Sequence, residues 1–339
     1  MSETPLILFG ACDRHNLGDL LLAQVAAAET APRPVLFAGL AERDLTPWGG
    51  HKVRALAALA EEWGDRRADL LHVGGELLTC ESLEAAVMLQ APEEAKAAIA
   101  RLDSRYSVGS AAARRWARET LGVSTRLPYL AAKSMFWQPD QFKYRAVGGV
   151  ELDRLPPPSR GEALQRLREA DVISVRDHTT QSHLAAAGIR AALAPDPVSR
   201  IVPRFAARIR QHVQRGEYGN DASLDRLAAP LDEHLGRRGL ALFRAGAAPW
   251  HDDLAVYQRL AERLKNHHVH LFQSLDVWDI CALIASAQGY CGSSLHGWIL
   301  AQAFGVETLP FPLHLSTGKR MAYVNTWGGG SNRHDTSFP

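Results

Sequence analysis

The sequence predicts an α/β protein made of two parallel-sheet domains that face each other across a cleft. Three observations predict it. Short apolar runs alternate with helical stretches through the first two-thirds of the chain, and the same alternation restarts near residue 240 after a charged interval. Small, polar or basic residues follow one strand candidate after another, which is where open parallel sheets place their ligands. At 339 residues the chain also exceeds the size at which a single core keeps growing.

In the first half, the apolar runs Pro5–Phe9, Pro34–Phe37, Asp69–Val73, Tyr144–Gly148 and Asp171–Val175 read as strands. Helical periodicity places helices at Asp19–Glu29, His51–Trp63, Pro92–Leu102, Ala111–Leu121, Glu162–Glu169 and Thr179–Ala187. After Pro195-Asp196-Pro197 the composition shifts to a charged stretch, so the first domain is expected over residues 1–202 and a charged helical linker over 203–238. The second α/β pattern fills 239–324. It reads as strand Leu240–Phe243, helix Asp253–Lys265, strand Val269–Phe272, helix Val277–Ala285, strand Gly289–Cys291 and a helix starting near Leu295. Residues 325–339 are glycine-rich and polar and read as a loose tail.

Composition removes several function classes. Lys plus Arg is 38 against 37 for Asp plus Glu, a net charge of +1, which gives no chain-wide case for nucleic-acid or acidic-membrane binding. The four cysteines, Cys12, Cys80, Cys281 and Cys291, have no short paired spacing and read as thiols in a reducing compartment. No segment approaches a membrane span and the N-terminus lacks a leader pattern, so a cytoplasmic location is expected. Gly-x-Ser-x-Gly and Walker-type loops are absent. His267, His268 and His270 lack the Cys or acidic partners of a tetrahedral set, so no metal site is expected.

The stretch from Cys291 to Phe304 is the most informative. Gly292 ends a small-residue run, Ser293 and Ser294 stand at a cap position, and His296 falls in the first turn of an apolar helix beside free backbone N–H groups. That is a favourable place for an anion next to an imidazole; a histidine that merely packs or helps to cap the turn is the plainer reading. Strand one runs into a loop and helix start holding Asn16, Gly18 and Asp19, and strand Asp69–Val73 into Gly74, Gly75 and Glu76. Both let backbone approach an anion, although tight turns use glycine without binding anything. Arg176 and Asp177 end the strand Asp171–Val175. Arg176 suits a carboxylate or phosphate, or else an internal ion pair with Asp177 or Asp196. Arg244 and Lys319 are two further cations at predicted cleft loops.

In order along the chain these residues resemble the polysaccharide pyruvyl transferase family. Asn16-Leu-Gly-Asp19 is similar to its N-terminal signature, and Gly74-Gly-Glu-Leu-Leu78 to its Gly-Gly-Gly-x-Leu element. Val172–Asp177 with Leu184, Gly188 and Pro195-Asp196-Pro197 resembles its Arg-Asp … Asp-Pro segment. Leu240–Arg244, Gly292–Gly297 and Lys319 resemble its later elements. The departure is Ser294, where many members have Arg before Leu-His.

The resemblance implies a GT-B-like pair of Rossmann-like domains and an enzyme that moves pyruvate from phosphoenolpyruvate onto two sugar hydroxyls as a ketal. It implies His296 as the acid-base group. Arg176, Arg244, Lys319, Ser293, Ser294 and Leu295 would bind the donor, and Asn16, Gly18, Asp19, Gly74, Gly75, Glu76 and Asp177 would line the cleft. The expected ligands are phosphoenolpyruvate as substrate and a sugar-containing acceptor, with no cofactor. A GT-B glycosyltransferase using a nucleotide sugar would favour an acidic residue in the helix after His296, and Gly297–Phe304 has none. A non-catalytic carbohydrate-binding relative is the other alternative.

Overall fold

The computed structural model describes residues 4–64, 66–105, 111–136, 139–215, 239–249, 251–263, 269–308 and 318–327. Most of linker 203–238, the histidines His267 and His268, and the tail beyond Trp327 lie outside the described residues.

One large sheet dominates. Its strands are β1 (Leu6–Phe9), β2 (Val35–Gly39), β3 (Arg43–Asp44), β4 (Lys52–Ala55), β5 (Asp69–Val73), β6 (Phe142–Val147), β7 (Val172–Val175) and β8 (Ala192–Leu193). They lie in the order β3-β4-β2-β1-β5-β6-β7-β8, all parallel except the β3–β4 pair. β1 and β5 are buried along their whole length, because helices cover both faces of a parallel sheet. The chain leaves β1 towards β2 on one side and returns as β5 on the other. The carboxyl ends of β1 and β5 are therefore a topological switch point, where crevices open in such sheets.

Around the sheet lie α1 (Leu17–Thr30), α2 (Leu56–Trp63), α3 (Ser82–Met88), α4 (Pro92–Arg105), α5 (Ala111–Leu121), α6 (Pro157–Arg168), α7 (His178–Ala186) and α8 (Ile201–Arg215). The strands expected from sequence all form, with small shifts of their ends. One helix is corrected: His51–Trp63 splits into strand β4 and helix α2. Lys52-Val-Arg-Ala pairs with β2 and β3, and of its four residues only Val53 is buried, so sheet pairing overrides the helical periodicity there. Short β3 and β8, with two residues each, carry too little pattern to be read beforehand.

The C-terminal part holds two separate parallel pairs, Leu240–Leu242 with Val269–Leu271 and Gly289–Tyr290 with Glu307–Thr308. Its helices are Leu254–Arg263, Val277–Ser286, Leu295–Ala303 and Lys319–Trp327. The last of these corrects the expected loose tail, since Asn325–Trp327 are helical. One hydrophobic cluster unites Leu17, Leu20, Leu21 and Leu22 of α1 with Val277, Trp278, Ile280, Ile299 and Leu300. A second cluster fills the other side of the sheet, between β1, β5 and β6 and the helices α3 and α6. Among the described residues no helix is long and apolar enough to cross a membrane.

Candidate functional site

The carboxyl ends of β1, β5, β6 and β7 converge on one point, and the helix Leu295–Ala303 brings His296 to it. Ser294 caps that helix: its Oγ accepts from the Gly297 N–H at 3.2 Å. The cap fixes where His296 emerges. Its ring lies flat against Gly18, so that a Cβ on Gly18 would come within 1.8 Å of His296 Nδ1. A Cβ on Gly75 would meet Arg176 Nη1 at 3.1 Å and His296 Cε1 at 3.5 Å. Gly18 and Gly75, expected as positions where backbone approaches an anion, make room for the imidazole and the guanidinium.

Beneath His296 runs a buried chain of charges. His296 Nε2 is 3.3 Å from Asp196 Oδ2, at ion-pair distance but without the alignment of a hydrogen bond. The same Oδ2 is 3.2 Å from Arg176 Nη1, and Arg176 Nη2 bonds Glu76 Oε2 at 2.9 Å. Asp196 is wholly buried, and burial pushes its carboxyl up. His296, Arg176 and the Val198 N–H together outweigh that and hold it down at about 2. Arg176 is likewise buried and remains a cation, because Glu76 and Asp196 more than offset the cost of burial. Both residues have further anchors. Glu76 Oε1 accepts from Val150 N at 2.7 Å, and Asp196 N–H donates to the Tyr323 hydroxyl at 3.3 Å.

The N-terminal loop is tied in by its own bonds. Asn16 caps α1, accepting from Gly18 N and Asp19 N at 3.0 and 3.2 Å, and pairs with Gly246 as an antiparallel bridge. Leu17 N–H donates to Ala245 O at 2.7 Å, which sets the residue after Arg244 against the start of α1. Asp19 lies 3.7 Å from Arg14 Nη2 and 3.5 Å from the Gly75 N–H. Arg14 in turn bonds the Tyr129 hydroxyl at 2.6 Å, and that hydroxyl donates to Asp13 at 2.9 Å.

Several expected roles are corrected. Arg176 does not face the cleft as an anion-binding fork: it is 1 % exposed, and both its terminal nitrogens are paired internally, with Asp196 as one partner. Asp177 is consumed as the cap of α7, accepting from the Thr180 N–H at 2.7 Å and the Thr180 hydroxyl at 3.0 Å. Leu295 is 2 % exposed within the hydrophobic core, so its side chain cannot reach a donor. Gly74 is a packing glycine, since a Cβ there would lie 2.7 Å from the Leu77 side chain. Ser294 spends its hydroxyl on the helix cap, whereas Ser293 is exposed.

Arg244 stands apart from the buried network, near His15 and Tyr257, and its Nε is buried without a hydrogen-bond partner among the described residues. Lys319 begins the last helix and is exposed at a cleft of about 460 Å³ that also contains Glu76, Glu84 and Val150. These two are the expected anion-binding cations that remain available.

Sequence reasoning named Asp196 only as an ion-pair partner of Arg176 and as part of Pro195-Asp196-Pro197, and missed its contact with His296. The signal was that flanking pair of prolines, which fixes the backbone around a single carboxylate. It also missed Tyr323 and Trp327, whose indole N–H donates to Arg176 O at 2.7 Å. Elsewhere, His212, Asp276 and Asp279 place possible metal-ligand atoms within 4.8 Å of one another. Asp276 already caps the helix Val277–Ser286, while Asp279 is bound by His212 and Ser274.

No curated protein matches the chain. The family described as polysaccharide pyruvyl transferase does match, over the stretch that contains Arg176, Asp196, Arg244 and His296. By that match, residues 151–314, just under half of the chain, are similar to the polysaccharide pyruvyl transferases.

Proposed function

We propose that the protein transfers pyruvate from phosphoenolpyruvate to two hydroxyls of a sugar, forming a ketal and releasing phosphate. The observation that carries the reading is the imidazole of His296, seated on Gly18 at the switch point and backed by the buried Asp196–Arg176–Glu76 chain. Ketal formation needs a proton delivered to the methylene carbon of phosphoenolpyruvate. The central carbon then takes one sugar oxygen, expels phosphate and takes the second oxygen. The two hydroxyl protons balance the step, one replacing the proton given to carbon and one leaving with phosphate. His296 supplies and recovers the proton. Asp196 orients the ring and compensates its positive charge, in the way carboxylates support catalytic histidines.

Arg244 matches the negative charge of the donor, and the step as read here calls on no resident metal. Arg176 acts through Asp196 rather than on the substrate. In this reading two Rossmann-like lobes face each other in the GT-B manner, divided near residues 203–238. The enzyme works in the cytoplasm, where phosphoenolpyruvate is made.

The test is a thermal-shift panel of phosphoenolpyruvate and nucleotide sugars, followed by phosphorus NMR of phosphate release with sugar acceptors. A ligand at a hundred times its dissociation constant adds about 2.7 kcal/mol of stability. Stabilisation by phosphoenolpyruvate and acceptor-dependent phosphate release are expected. Stabilisation by a nucleotide sugar instead would replace this reading with a glycosyltransferase.

A further inference from the structure

The cleft beside the buried charge chain is lined by both signs of charge, unequally. Glu76, Glu81, Glu84 and Glu151 line it with Arg154 and Lys319, and Thr79 is its one hydroxyl side chain. Its volume of about 460 Å³ is in the range of small-molecule sites. Most of its charged groups are already committed. Both Glu76 oxygens are bonded, to Val150 N and Arg176; Glu81 holds the Ser159 hydroxyl; Glu151 pairs with Arg154 at the rim.

Three groups remain. The Thr79 hydroxyl and the Lys319 ammonium make no hydrogen bond or ion pair to another described residue, and Glu84 touches the weakly donating Cys80 thiol. A carboxylate, a hydroxyl and an ammonium set together can accept from and donate to the same pair of hydroxyls, because each sugar hydroxyl both gives and takes a hydrogen bond. The excess of carboxylates opposes any ligand that brings its own negative charge.

Position adds a second argument. Glu76 is at once a wall of this cleft and the end of the chain that runs through Arg176 and Asp196 to His296. The residue before Glu76 lies against the imidazole, since a Cβ on Gly75 would be 3.5 Å from His296 Cε1. An anionic donor, with phosphate and carboxylate, is disfavoured there and better served by Arg244, outside the carboxylate-rich walls.

We propose that this cleft is the acceptor subsite, and that it takes an uncharged glycosyl unit through a pair of hydroxyls held by Glu84, Thr79 and Lys319, while rejecting uronic acids. The inference rests on the transferase reading above for the word acceptor, but not for the binding itself.

Saturation-transfer NMR on the full chain tests it, with methyl glucoside, methyl galactoside and methyl mannoside against glucuronate and galacturonate. Thermal shift with phosphoenolpyruvate on the same samples reports the donor separately. At least one neutral glycoside should bind, and its matching uronate at least about tenfold more weakly. Glu84→Gln should weaken the neutral glycoside by about tenfold, the loss of one charge-assisted hydrogen bond, and Thr79→Val should weaken it too. The exposed, remote Glu307→Gln should change nothing. Uronates binding as well as neutral glycosides, an unchanged Glu84→Gln variant, or no glycoside binding at all would each overturn the proposal. Glycoside binding without phosphoenolpyruvate binding would instead leave the cleft standing and remove the donor assignment.

Discussion

Asp196 is a carboxylate with no exposed surface, and on burial alone it would hold a proton. It stays ionised because His296 and Arg176 both lie within 3.3 Å of the same oxygen. Its pKa, lowered to about 2, adds stability above the ordinary carboxyl pKa of 3.8 that is lost as pH falls through the folded value. Asp196→Asn leaves Arg176 with Glu76 alone in a buried site and should cost about 3 kcal/mol or more, measured by urea unfolding at pH 7. His296→Gln, in contrast, keeps size and polarity at a half-buried position. Turnover should drop about a hundredfold while the melting temperature barely moves; a parallel loss of both would reassign the histidine to a structural role. Gly18→Ala tests the seating directly, because its Cβ would overlap the ring. It should reduce turnover as His296→Gln does, with the far-ultraviolet circular dichroism unchanged.

At the scale of elements, two histidines, His72 on β5 and His51 just before β4, contribute to how the protein meets acid. On β5, His72 is wholly buried, stacked on Tyr144 at 3.8 Å, with Nε2 accepting the Ala131 N–H and Nδ1 facing Lys143 O at 3.1 Å. Those partners fix the neutral tautomer with its proton on Nδ1. Burial pushes the ring down to about 3, the Lys143 carbonyl opposing only in part. His51, stacked on Phe37 at 3.6 Å, is pushed down to about 4 by burial and by Arg208. Above pH 6.5 both are neutral folded and unfolded, so neither changes stability. Below it the unfolded chain takes up protons that the folded one refuses, and stability falls by about 1.4 kcal/mol per pH unit for a fully buried ring. Acid unfolding is therefore expected to set in between pH 6.5 and 3. Among the described residues His51 Nε2 has no hydrogen-bond partner to lose, so His51→Phe should keep the pH 8 stability and flatten the profile between pH 6.5 and 4. An unchanged acid profile in that variant would remove His51 from the account.

Across the whole molecule, α1 belongs to two assemblies. Its cap and first turn form the site through Asn16, Gly18 and Asp19, and its leucines fill the core shared with the helices Val277–Ser286 and Leu295–Ala303. The helix that carries His296 is thus positioned by hydrophobic packing against the helix that carries Gly18. Leu21→Ala, at a position with no exposed surface, should cost about 2–5 kcal/mol. Because the core is shared, hydrogen exchange should speed up in Val277–Ser286 as much as in Leu17–Thr30. Protection lost in α1 alone would show that the two parts hold together less tightly than this packing implies.

The sequence by itself determined the α/β class, the main strands and the points where functional residues leave them. Apolar runs such as Leu6–Phe9 and Asp69–Val73 and caps such as Asn16 and Ser294 depend on local physics, namely strand burial and the unpaired N–H groups of a helix start. It also picked out Arg176, Asp196 and His296 in separate segments. What it could not fix was who meets whom. Whether Arg176 binds a ligand or a carboxylate depends on Glu76 and Asp196, 100 and 20 residues away in the chain. Likewise, the need for glycine at position 18 comes from a ring 278 positions later, at residue 296, which no local pattern records. Only the tertiary structure decided these pairings, because burial turns a loose choice among charges into a single arrangement in which each must find its partner.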